Sequence, residues 1–148
     1  MQLNRKRNFA ALIALALSLS CAHVQARDDA LMMPVEDVLT EFKDRLDPQV
    51  SFYFGKQAYP EPAAKMGEYV TNKKTNAFNK SDEEACKWVM LSALLQMQER
   101  ALAEGGNAVV DIRSYYKKNE VSSETEYECH AGNLMAGVAL IGRVVKID

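Results

Sequence analysis

The sequence is poor in the residues that mark catalytic and metal chemistry. It holds three cysteines, two histidines and one tryptophan among 148 residues. No two cysteines form a short C-x-x-C pair, so the spacing of a structural zinc site is missing. There is no G-x-x-x-x-G-K-S/T loop to cradle phosphates, no G-x-S-x-G elbow and no H-E-x-x-H helix. Basic residues are not in excess either, which argues against a nucleic-acid-binding face. The longest apolar run falls short of the ~20 residues that a spanning helix needs. No internal repeat and no low-complexity tract is visible.

What is there begins with an address. "MQLNRKRN" sets Arg5, Lys6 and Arg7 ahead of the apolar "FAALIALALSLSCA", and small residues at Val24 and Ala26 precede the charged "RDD". A basic start, a short apolar core and a small-residue exit make a secretory signal peptide over residues 1–26. The expected location is the periplasm, with one domain over 27–148. A second reading lipidates Cys21, although Ser18 stands where a lipobox usually has leucine; only then would the protein be membrane-anchored. Three of the 18 basic residues and none of the 20 acids fall in 1–26. Residues 27–148 therefore carry 15 basic against 20 acidic groups, a net charge of −5. Cys86 and Cys129 remain, and two cysteines in an exported chain read first as one disulfide.

The periodicities predict an α+β domain. In "PVEDVLTEFKDRL", Val35, Val38, Leu39, Phe42 and Leu46 recur at helical spacing after Pro34, and Pro48 closes the element. "QVSFYFG" alternates as a strand, and "AYPEPAAK" is a loop broken by Pro60 and Pro62. "MGEYVTNKKTN" is a weaker strand that decays into a polar loop. The clearest element is "SDEEACKWVMLSALLQMQERALAEGG". Ser81 and Glu84 form a capping box, Asp82 to Glu84 complement the helix N-terminus, and Gly105 can end the helix. One apolar stripe runs through Ala85, Trp88, Val89, Leu95 and Leu102, and another through Cys86, Met90, Ala93, Met97 and Ala101. Three strands should follow. "NAVVDIRSYYKK" puts Ala108, Val110 and Ile112 on one face. "SSETEYECHA" puts Tyr127 and Cys129 opposite Glu126, Glu128 and His130. "LMAGVALIGRVVKI" is apolar on both faces, so both should be covered, by the N-terminal helix or by a second copy. The expected architecture is an antiparallel sheet with the long helix across one face, plus a short N-terminal helix.

"EYECHAG" joins a cysteine to the only histidine after residue 26. Cys129 should face the helix whose first turn carries Cys86, and the two can meet. Adjacent "CH" residues on a strand point to opposite faces, so Cys129 and His130 are poorly placed to share a metal or to act as nucleophile and base. His130 with Glu126 and Glu128 is the remaining metal candidate, against a solvated acidic face paired with Arg113, Lys117 or Lys118. The segment around Asn72, Lys73, Lys74 and Asn76 lies just before a helix N-terminus. It reads as an ordered polar loop or, alternatively, as an interaction surface.

"ALAEGGNAVVDIRSYY" followed by "AGVALIGRVVKI" resembles the YbjQ-like superfamily, in which a helix ends in a Gly-Asn-Ala-Val-Val turn into a strand and a small-centred strand closes the sheet. The resemblance spans roughly residues 66 to 147. That superfamily is described as heavy-metal-binding and includes the RcsF-like envelope lipoprotein, a disulfide-bonded stress sensor. "VTNKKTN", "KSDEEAC" and "SYYKKNEVSSETEYECHAG" resemble a group of exported proteobacterial proteins, some labelled as an excinuclease ATPase subunit. The missing phosphate loop and zinc pairs do not support that label. The RcsF-like pattern uses two disulfides, whereas Cys86 and Cys129 suffice for one. The expectation is therefore a non-enzymatic envelope protein without a cofactor, binding another protein in stress sensing or envelope maintenance, with a homo-oligomer allowed. The alternative is a heavy-metal-binding module.

Overall fold

In a computed structural model that describes residues 26–148, the chain forms one curled six-stranded sheet with two helices. Cys21 and the expected signal segment, Ala26 apart, lie outside the described residues. The strands are β1 (Asp29–Pro34), β2 (Ser51–Phe54), β3 (Ala64–Asn76), β4 (Ala108–Ser114), β5 (Glu126–Ala131) and β6 (Met135–Lys146). The helices are α1 (Val35–Glu41) and α2 (Asp82–Ala103), with 3-10 turns at Lys43–Arg45 and Tyr116–Lys118. Among the described residues no helix is long and apolar enough to cross a membrane.

Helix α2 forms where its sequence signals place it. The Ser81 hydroxyl accepts the N–H of Glu84 at 3.1 Å, removing one unsatisfied donor of the first turn. At the other end Gly105 adopts φ +79°. Its N–H reaches the carbonyl of Leu102, and the N–H of Gly106 reaches that of Ala101. This pair of bonds closes the helix in a Schellman motif. The stripe of Cys86, Met90, Ala93, Met97 and Ala101 is fully buried. The neighbouring stripe is only half so, because Trp88 and Leu102 emerge at its margin. Trp88 is covered there by Phe42, ring centroids 5.0 Å apart, and by the Arg45 guanidinium.

β6 organises the sheet. β3 runs antiparallel along one side of it, from Asn76 opposite Met135 to Ala64 opposite Lys146. On the other side β5 pairs with its beginning and β4 with its end. β1 adds to β5, with Leu31 opposite Cys129. β2 adds to β4 in parallel, so the sheet is mixed rather than antiparallel throughout. The connection from β2 to β4 passes through β3 and α2, which gives it the length that a parallel pair requires.

Three further expectations are corrected. The stretch Val70–Asn76 is not a polar loop but the second half of β3. Its polar side chains suit a strand with one open side. Helix α1 ends at Glu41, where Phe42 leaves helical geometry, and the 3-10 turn takes up the rest. It packs Val35, Val38 and Phe42 into the core beneath α2, so it does not cover the outer face of β6. In β4, the ladder with β6 slips between Val110 and Arg113 at a bulge where Asp111 has φ +52°. The extra residue reverses the alternation. Val109 and Ile112 enter the main core, while Ala108 and Val110 join Val145 and Ile147 in a small cluster on the outer face.

Candidate functional site

The alternation of β5 sends Tyr127 and Cys129 inward and Glu128 and His130 outward. Cys129 is bonded to Cys86 with Cα atoms 5.8 Å apart, and both are fully buried. The disulfide therefore ties the first turn of α2 to the middle of β5. It encloses a chain separation of 43 residues, for which loop-closure entropy gives about 4 kcal/mol. Tyr127 lies beside it with its hydroxyl buried and without a partner among the described residues. Burial, with a smaller contribution from Asp37 and Glu83, pushes its phenol well above the ordinary 10.0.

His130 stands on the other face in a set of polar contacts. Its Nε2 meets Glu128 Oε1 at 3.0 Å, and its Nδ1 meets Asp28 Oδ1 at 3.0 Å. The Tyr116 ring stacks on the imidazole with centroids 3.4 Å apart and planes 14° from parallel. The Tyr116 hydroxyl and Lys117 Nζ also reach Asp28, at 3.2 and 3.4 Å. Burial raises the Asp28 pKa. The bonds from His130, Lys117 and Tyr116 outweigh that and hold the carboxyl below its ordinary 3.8.

Of the expected metal ligands, Glu128 and His130 come together and Glu126 does not. Glu126 lies opposite Pro34 in the β1 ladder and is exposed. Asp28, which sequence reading missed, supplies the second carboxylate instead. Among the described residues no set of three His, Cys, Asp or Glu side chains is arranged to hold a metal ion. The anticipated pairing of this acidic face also differs. Arg113 goes to Glu120 and Glu68, and Lys117 goes to Asp28.

Next to His130 opens a groove of about 380 Å³. Its floor is Ala136 and Gly137 at the start of β6, and its walls carry Arg27, Tyr116, Asn133, Leu134, Met135 and Lys74. Arg27 is held by Asp29 at 2.7 Å and by Asp82. Leu134, Met135 and nearby Phe78 are 64, 48 and 59% exposed, well above the norm for large apolar side chains. Phe78 is fixed by its N–H bond to Asn76 Oδ1, and the preceding Ala77 bonds Leu134. The groove thus brings His130 together with Lys74 of the polar segment. Asn76 borders it, Asn72 faces solvent along β3 opposite Ala139, and Lys73 points to the helix side, half-buried. Tyr116 and Asp28 were invisible beforehand because their roles depend on a long-range meeting of β1, β5 and the 116–118 turn.

The class these features define is a disulfide-tied domain of mixed α and β structure with a polar-rimmed apolar groove at one end of the sheet. Compared with protein-family models, curated proteins and solved structures, the chain matches none.

Proposed function

We propose that the protein works by binding another protein in the periplasm, without catalysis and without a cofactor, in envelope stress sensing or maintenance. The observation that carries this reading is the groove. It offers exposed Leu134 and Met135 beside Lys74, with exposed Phe78 outside its lining, an apolar centre with a charged rim, which is the composition of a protein contact. The chemistry-bearing groups nearby are already engaged: both nitrogens of His130 face carboxylates, and both described cysteines are in the disulfide. The YbjQ-like and RcsF-like resemblance supports the same role, as does the signal-like N-terminal segment. The test is a photo-crosslinking side chain placed at Leu134, and as a control at Glu99 on the exposed side of α2, in the exporting host. The expected result is a discrete adduct from position 134 that disappears with Lys74→Glu. Equal labelling at both positions would sink the proposal.

One observation favours the second reading, a heavy-metal-binding module. Asp28 and Glu128 stand 3.0 Å from opposite ring nitrogens of His130, so each side offers an incoming ion one nitrogen and one carboxylate, with solvent to complete its ligands. Titrating zinc or copper into wild type and His130→Ala separates the two; identical binding by both removes the metal reading.

A further inference from the structure

We infer that the outer edge of β3 takes an extended, acidic segment of the partner protein, added as a further strand. This rests on the protein-binding reading and gives it a geometry. β3 is 13 residues long, and among the described residues it pairs with β6 alone. Ala77 donates its N–H to Leu134, and the carbonyl of Lys73 lies towards Gly137 of β6. Backbone groups alternate sides along a strand, so Thr71, Lys73 and Thr75 bond β6. Val70, Asn72 and Lys74 then direct their N–H and C=O groups outward, while the outward carbonyl of Asn76 already accepts from Lys80 Nζ at 2.9 Å.

Long open edges are normally blunted by a bulge, a proline or an inward charge. The bulge of β3 sits at its far end, between Lys65 and Gly67, and no proline interrupts the stretch from Glu68 to Asn76. This half of the strand keeps regular register with β6, and its blunting charges are Lys74 and Lys73, the latter turned to the helix side, so it is a template for a strand that neutralises them.

Charge selects the occupant. From Tyr69 to Ser81 the chain has Lys73, Lys74 and Lys80 and no acid. The described lysines that reach carboxylates are Lys87 and Lys117, so these three have none. A second copy paired antiparallel about Lys73 and Lys74 would set like charges opposite, which is destabilising. An acidic strand meets complementary charge instead. Lys74 also lines the groove, so a strand laid along β3 would deliver its end to Leu134 and Met135.

The test uses the exported protein with two short synthetic peptides, one alternating glutamate with valine and one alternating lysine with valine, read by amide hydrogen exchange. The glutamate peptide should slow exchange at Asn72 and Lys74 by about tenfold, and leave Thr71 and Lys73 unchanged because they already bond β6. Asn72→Pro removes an outward donor and leaves the β6 ladder alone, so it should abolish that protection. Lys73→Glu with Lys74→Glu leaves the backbone intact and should reverse the preference to the lysine peptide, which keeps the test decisive if the proline variant does not fold. Protection without peptide that rises with protein concentration would assign the edge to a second copy and overturn the inference. So would equal protection by both peptides, or none. Should the Leu134 adduct survive Asn72→Pro, strand addition falls while the groove reading stands.

Discussion

The two faces of β6 are both apolar for most of their length in sequence and are buried in different ways. The inner face, through Ala136, Val138, Leu140 and Val144, lies under α2 in one continuous core with Met90, Leu94 and Tyr127. The outer face has no helix. At one end Val145 and Ile147 pack with Ala108, Val110 and the tyrosines Tyr53 and Tyr59. At its middle, Arg143 pairs with Asp111 at 2.9 Å, and Arg113 links Glu120 and Glu68. An apolar run therefore need not imply a covering helix. Here Ala139 and Ile141 on the second face are 2 and 7% exposed without a helix over them.

The largest effect that separates the faces should come from the disulfide. Cys86→Ser with Cys129→Ser should lower unfolding stability by about 4 kcal/mol, a large share of a domain total of order 10 kcal/mol. Urea midpoints of the oxidised, reduced and mutant proteins check it; a reduced protein as stable as the oxidised one would show that the inner face does not depend on the bond. Next, Leu94→Ala on the inner face should cost about 2–5 kcal/mol. Arg143→Ala on the outer face should cost at most about 1 kcal/mol, since its ion pairs are partly exposed. Comparable losses would mean that the outer lattice is structural in its own right.

The smallest effect should be a gain. Tyr127→Phe removes a buried hydroxyl that has no partner among the described residues and should stabilise the fold by about 1 kcal/mol or less. The gain should widen in alkali. The folded phenol is raised above the ordinary 10.0, so above that pH the unfolded chain gives up a proton that the folded one retains. Stability then falls as pH rises, and the variant lacks that component. A stability difference that stays constant from neutral pH into the alkaline limb would contradict this account.

Much of the inner face was legible in the sequence. Ser81, Glu84 and Gly105 bracket α2, and the alternation of Tyr127 and Cys129 aims the cysteine at Cys86. These are local signals, and burial enforces them. What could not be read depends on contacts distant in the chain. β1 carries a short, half-exposed pattern and becomes a strand because β5, about a hundred residues later, offers it an edge. The second half of β3 looked like a loop because an open edge keeps polar side chains. Ala108, Val110 and Ile112 promised one face, but the Asp111 bulge divided them, and no residue type announced it. The candidate site shared this fate. His130 and Lys74 stood out singly, whereas their common groove depends on where Ala26 to Asp28 enter the sheet.

The position of the disulfide also sets how the molecule bears a load. Force applied ahead of Arg27 would shear β1 along β5 and first part Asp28 from His130. β5 would not follow, because Cys129, opposite the middle of β1 at Leu31, is riveted to α2 through Cys86. The N-terminal strand is thus a detachable strap on a covalently closed frame. Tension could alter the groove wall at Arg27 and Asp28 and leave the helix and the five remaining strands in place.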